Sequence, residues 1–472
     1  MINLLFTIIV SAIYLLGLLL SFNKKYVLWP MFFVFFAYFF KPFFSRLIFY
    51  FEPVAAVFDP LSVVMALLFP FTFVVYYLRN KHSIKVFLRS RLTVLLLLFI
   101  FIYFIQIFNP NTTLGAGFLT FKNLAMLLFS FFLPFYLIKY KYPYKNFVSM
   151  LLVFGIVYLA YGLYQVFFGH AIFEQVYFAE TLGELHYRSS MFMEGQTRPC
   201  SFATNDGHFR YTMVLLFLFL LPQYRCLTIK NKKLFILYSF LFLLLFFLSP
   251  DRTPILMTLI GIFTIYILGN GKRWPIRLLA GVLLFVPILS ILRTILLPYL
   301  ATLSSGQYLY RLIELLDLFN AGTWVTRSSA GGDWSRAIMH IKEFLLFGAG
   351  AGTGTFNRLG GSMNLYVMTH NEFLTVLLET GIVGFFVFIV LIFYLLFVLY
   401  KLIVMKNGFF KQISLGIIAS FISLLASSMV NIALLSGESS RMAWLFVGFI
   451  PILLNRQLKE IFYEHFLGYP ER

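Results

Sequence analysis

The sequence predicts an all-α polytopic integral membrane protein, with about 13 transmembrane helices and one large helical loop on the outer side. Two observations carry this. Apolar residues make up 61% of the 472 and charged ones 12%, with a mean hydropathy of +0.89, whereas a soluble domain carries about 25% charged residues. The apolar runs also thread so that Lys- and Arg-rich loops share one side, with no forced inversion. The net charge of +19 then sits on the inner loops, where it sets topology, and nucleic acid is excluded as a partner. The 62 Phe and 28 Tyr suit lipid-facing and interfacial positions.

Residues 1–297 are expected to hold transmembrane helices 1–10. MINLLFTIIVSAIYLLGLLLSF has no basic n-region and no cleavage site, so it reads as a retained span with an outer N-terminus, ending at Lys24 and Lys25. Spans at about 26–40 and 60–78 follow, and RNKHSIKVFLRSR fixes the inner side. Spans at about 92–108 and 124–138 bracket the outer stretch NPNTTLGAGFLTFKN. The sixth, at about 147–168, opens into an outer segment over 169–210, longer than an ordinary connection. The seventh spans about 211–222; the eighth and ninth form a hairpin whose outer turn is SPDRTP; the tenth lies at about 278–297.

Residues 298–372 form the large outer loop, with amphipathic helices. Within it GQYLYRLIELLDLFNAG aligns Arg311, Glu314 and Asp317 on one stripe, as an interfacial helix does. DWSRAIMHIKEFLLF is a second helix with Asp333 as expected N-cap and Arg336, His340 and Glu343 on one face. Residues 373–472 hold helices 11–13, starting near Phe373, Ile413 and Met442, and an inner tail. Glu379, two turns into its helix, is the clearest charge inside a span.

Candidate chemistry gathers outside. Arg198, Arg252, Arg327 and Arg336 each hold a permanent charge and a planar fork that matches phosphate oxygens, so their convergence would fit a diphosphate. Each one singly can equally anchor a helix end or pair with a nearby Asp. His170, His186, His208, His340 and His370 also lie outside; a neutral imidazole can take a proton from a hydroxyl near pH 7. Beside His370, Thr369 or Asn371 is placed to cap the following helix. FGAGAGTGTF invites a phosphate-loop reading, but it lacks the GK[ST] ending and faces away from cytoplasmic nucleotide; a helix C-terminus followed by a tight turn accounts for it equally. No Cys or His spacing fits a metal, no GxSxG occurs, and Cys200 and Cys226 are expected on opposite sides of the membrane.

Trp334, then LLFGAGAGTGTF at Leu345–Phe356, then HNEFLTVLLETGIVG at His370–Gly384, together resemble the signature region of the O-antigen ligase and O-antigen polymerase superfamily. TRPCSFATND resembles an upstream element at Arg198, Phe202 and Asn205, and SPDRTP a hairpin turn at Arg252. The chain departs from the family pattern in lacking the glycine after Arg198, in reading DRT for SRG, and in the distance from Arg327 to Trp334, which leaves Arg327 and Arg336 as alternatives for one role.

The resemblance implies a GT-C-like glycosyltransferase of the bacterial inner membrane, its site facing the periplasm, with no cofactor and no metal. The implied donor is an undecaprenyl-diphosphate-linked glycan, the acceptor a glycan hydroxyl, and a chain-length regulator protein a possible partner. On this carry-over His370 and Arg252 are catalytic, and Arg198, Arg327, Arg336, Asn371 and His340 bind substrate. The expected activity is O-antigen polymerase. Ligation to lipid A core is the alternative within the family, and a polysaccharide transporter or flippase the alternative from another class.

Overall fold

The computed structural model describes residues 41–51, 90–139, 143–182, 192–193, 196–203, 206–248, 252–269, 332–354, 369–405, 408–429, 431–435 and 437–455. The first three expected spans, the tenth, the stretch 306–322 and Arg327 lie outside these residues. Among the described residues the chain is helical apart from a two-residue antiparallel hairpin, β1 (Phe192–Met193) with β2 (Gln196–Thr197). Four of the described helices are long and apolar enough to cross a membrane.

The helices alternate in direction, so that one end of the bundle collects the long connections. α1 (Lys41–Phe51) lies at this loop-rich end against α5 (Ile172–Leu182). α2 (Arg91–Gln106) ascends to it and α3 (Leu114–Lys139) descends; α4 (Tyr144–Phe168) ascends and stops at Gly169, whose positive φ of 81° favours glycine. α6 (Asp206–Leu220) descends into a 3₁₀ turn, Leu221–Cys226. α7 (Ile229–Leu248) ascends, α8 (Arg252–Leu268) descends, and the short amphipathic α9 (Asp333–Glu343) follows. α10 (Glu372–Met405) descends, α11 (Phe409–Ser427) ascends, and α12 (Gly437–Val447) with α13 (Ile450–Leu454) completes the bundle.

α6 is buried on nearly every side, which makes it the pillar of the bundle. Apolar helices gain little hydrophobic drive from one another in lipid, so close packing and polar pins hold them. Small residues permit the close approach: Gly155 faces Tyr238 and Leu216, and Gly416 faces the carbonyl of Phe219. The rings of Phe219 and Phe446 stack with centroids 3.9 Å apart. Ser420 donates to the carbonyl of Leu215 at 3.0 Å, and Ser423 to that of Met257 at 2.8 Å. Each such bond pins α11 to a neighbour.

Three boundaries differ from expectation. α3 begins at Leu114, ten residues before the expected span, because the Thr113 hydroxyl caps the amide of Ala116 and Gly117 packs on the backbone of Ile107; what reads as a glycine loop is the first turns of a helix. The position before α9 is occupied by Gly332, so Asp333, the expected N-cap, is instead its first helical residue. The helix expected to start near Met442 begins at Gly437: Glu438–Arg441 are helical and buried, α12 packs on α6, and the helix is broken between α12 and α13.

Candidate functional site

His370 occupies the turn into α10 with φ 46°, a left-handed conformation that costs a non-glycine residue about 1–2 kcal/mol and survives only where neighbours hold it. The neighbours do so. Thr369 is buried; its hydroxyl bonds that of Thr375 and donates to the carbonyl of Asn371 at 3.0 Å. Asn371 caps the helix by accepting from the amide of Leu374 at 3.1 Å, and its Nδ2 donates to the carbonyl of Met429 at 2.9 Å. Of the two expected caps, Asn371 is the one used, and its side chain is held in place by these backbone groups.

The chain just past α11 is drawn onto this turn. The amide of Glu372 donates to the carbonyl of Ser428 at 2.9 Å, and the Glu372 carboxylate accepts from the amide of Leu434 at 2.9 Å. Segment 428–435 also reaches α6, where Asn431 donates to the Tyr211 hydroxyl at 2.8 Å, and His208 Nδ1 lies 3.0 Å from the Ser439 hydroxyl. Thus the starts of α6, α10 and α12 and the end of α11 converge at the loop-rich end.

Arg198 is brought to the start of α6, with Nη1 3.7 Å from Asp206 Oδ2. Its segment is anchored to α4 by Gln165, whose Oε1 accepts from the amides of Cys200 at 3.0 Å and Ser201 at 2.7 Å. Arg252 opens α8. Since Ser423, one turn before the end of α11, is level with Met257, one turn into α8, the backbone of Arg252 lies at the same end of the bundle as Ser428 and the His370 turn. Arg336 is exposed on α9, and His340 Nδ1 lies 3.3 Å from Glu343 Oε2 at the rim. α9 rests on the first turns of α10 through Ala337 and Ile341 against Leu374, Leu377 and Leu378.

The glycine-dense turn does cradle an acceptor oxygen, and the oxygen belongs to Glu379. Its Oε1 accepts from the amides of Gly352 and Gly354, both at 3.1 Å, and the carboxylate is 1% exposed. α10 is broken at Gly381, with φ 65° and ψ −170°, and the carbonyls of Leu378 and Glu379 accept from Ala349 at 2.7 Å and Gly350 at 3.2 Å. The amide of Ile382, freed by the break, donates to Leu345 at 2.8 Å. From the other side, Gln106 Nε2 donates to Phe347 at 2.6 Å and Thr112 to Ala351 at 2.8 Å. The turn is therefore interlocked with a break in the span and offers these amides to no nucleotide or lipid phosphate.

A second polar centre was invisible to spacing. Arg46 Nη1 lies 2.6 Å from Glu174 Oε1 and 3.4 Å from Cys200 Sγ, all buried, and Arg46 also donates to the carbonyl of Ala203. The potential ligand atoms of His170, Glu174 and Cys200 lie within 4.8 Å of one another. The guanidinium already sits against two of the three, supplying the positive charge a metal ion would bring, so the donor set does not fit a metal. Burial works against the Glu174 carboxylate, yet hydrogen bonds from His170 and Gln165 and the charge of Arg46 hold it down at about 2. Burial likewise opposes the charged form of His170, but the Cys200 sulfur and Glu174 outweigh it and push the imidazole up to about 9. Arg210 and Arg441, at the starts of α6 and α12, are also buried, and Arg441 lies 3.9 Å from Glu438. The signal for them was a charge embedded in an apolar run, which marks a functional or paired group in a membrane.

Residues 237–389 match the family model described as O-Antigen ligase. No curated protein matches the chain. The matched segment runs from within α7 past the break in α10, and it contains Arg252, Arg327, Arg336, His340, His370 and Asn371. The match supports the O-antigen ligase and polymerase superfamily, whose motifs the sequence resembles.

Proposed function

We propose, for a chain carrying the signature of the O-antigen ligase and polymerase superfamily, that it is a surface-polysaccharide polymerase. It moves a glycan from undecaprenyl diphosphate to a sugar hydroxyl of a lipid-linked repeat unit, at the periplasmic face of a bacterial inner membrane, in a GT-C-like bundle of about 13 spans. The observation that carries this reading is His370, held in a left-handed turn at the mouth of α10, inside the matched segment. In the proposed step the imidazole takes the proton of the acceptor hydroxyl, and the freed oxygen bonds the anomeric carbon from the side opposite the diphosphate. The carbon–oxygen bond to diphosphate then breaks with its electron pair on the phosphate, and configuration inverts. Diphosphate is a good leaving group, so the remaining requirement is fixed positive charge for the developing anion, which Arg252, Arg198 and one of Arg327 or Arg336 would supply without a metal. Asn371 and His340 complete the proposed substrate-binding set from the helix start and the rim.

Ligation of the same donor to lipid A core is favoured by one observation, the description of the matching family as O-Antigen ligase. A transporter is less well supported. It calls for buried ionisable groups along a path through the bilayer, and the mid-span Glu379 is instead engaged by backbone amides.

The test is reconstitution of the purified protein in liposomes with a lipid-linked oligosaccharide and no ion gradient. Extension of the glycan supports the polymerase, transfer only when lipid A core is added supports the ligase, and movement without bond formation supports a transporter. His370→Ala and Arg252→Ala are each expected to abolish long products with insertion intact; a normal ladder in either removes that residue from the site.

A further inference from the structure

Four buried carboxylates at the loop-rich end take no part in the proposed chemistry, and one of them, Glu438, lies 3.9 Å from Arg441. Glu174 is neutralised within its own cluster by Arg46 and His170. Glu379 closes the glycine turn. Glu372 is different, because it stands two residues from His370 and is tied to a segment 62 positions away.

An acidic residue in the first turn of a helix is ordinary, since it complements the helix dipole, but it usually faces water. Glu372 is 1% exposed. Its Oε2 accepts from the amide of Leu434 at 2.9 Å. With the Glu372 amide on Ser428 and the Asn371 side chain on Met429, two consecutive residues clamp the start of α10 to segment 428–435. His370 precedes this clamp directly, at φ 46°. Release of the clamp would let its φ relax to the ordinary negative side, turning the Cα–Cβ bond and the imidazole away from their present direction.

We propose that Glu372 is the positioning residue for His370: its side chain, by accepting from the amide of Leu434, holds the imidazole at the mouth of α10. This rests on the assignment of His370 as the acceptor base, and the experiment separates the two. Glu372→Ala, Glu372→Gln and His370→Ala are prepared as full-length protein in liposomes. Glycan extension is followed together with the rate at which diethyl pyrocarbonate modifies His370, read by peptide mass spectrometry with His340 as internal reference.

Glu372→Ala is expected to lower kcat by about 10- to 100-fold, as misplacement of a reacting group by an ångström does. KM for the lipid donor stays within about twofold, and the modification rate at His370 changes severalfold. Glu372→Gln, which keeps an acceptor oxygen, is expected to restore both readouts nearly to the parent. If Glu372→Ala does not insert, Glu372→Asp, one methylene shorter, is expected to fall between. Unchanged modification of His370 in the inserted Glu372 variants overturns the proposal, whatever the activity. Full activity of His370→Ala overturns instead the role given to His370, and leaves the positioning to be decided by the modification rate.

Discussion

Oε1 of Glu379 lies 3.1 Å from the backbone nitrogen of Gly352, so a carboxyl group two turns into the apolar helix α10 closes the glycine turn that follows α9. The same oxygen accepts from Gly354 at 3.1 Å, and the break at Gly381 lends two more carbonyls to the turn. The loop and the span are one folding unit.

Glu379→Ala is therefore expected to strand two buried amides and to destabilise the protein by about 2–4 kcal/mol, while Glu379→Gln, which keeps the acceptor, costs about 1 kcal/mol. Denaturation midpoints of the detergent-solubilised variants check this. Equal midpoints for the two would show that the carboxylate does not carry the turn.

Gly381→Ala and Gly408→Ala separate strain from collision. Both positions have positive φ, 65° and 73°, so each substitution costs about 1–3 kcal/mol of backbone strain. A methyl at Gly408 meets open space, whereas at Gly381 it would collide with the carbonyl of Leu346. Gly408→Ala is expected to fold with a lowered midpoint, and Gly381→Ala to be lost to proteolysis in the membrane fraction.

Stability is expected to depend on pH through the Arg46 cluster. Glu174, held down at about 2 from an ordinary 4.5, contributes fully above about pH 4.5 and loses that contribution as pH falls through 2. His170, raised from 6.5 to about 9, contributes fully below about pH 6.5 and loses it as pH rises through 9. Thermal midpoints should thus plateau between about pH 4.5 and 6.5, and His170→Gln should flatten the alkaline fall and also shrink the acid one, because His170 helps to hold Glu174 down. An alkaline fall unchanged in that variant would assign it to other groups.

Asn371→Ala loses both the cap on Leu374 and the bond to Met429 and is expected to cost about 1–2 kcal/mol, whereas Asn371→Asp keeps the cap and should cost less. Chemical denaturation of the two variants gives the order directly.

Hydropathy and charge located the long apolar helices, since both are written residue by residue, whereas α1 and α5 lie between the expected spans. The ends of α2 and α4 and the start of α10 fall within three residues of their expected positions. The motif around His370 and its cap at Asn371 were legible for the same reason, because capping is a contact between near neighbours. Packing alone decided the rest. Glycine and threonine at 112–117 read as a loop until Ile107 is there for them to lie against. Arg46 finds Glu174 across 128 positions, and Gln106 finds Phe347 across 241, separations at which spacing carries no signal. The glycine turn could be recognised as a place for an anion from its amides, but only the fold brought it Glu379 and showed the place already taken.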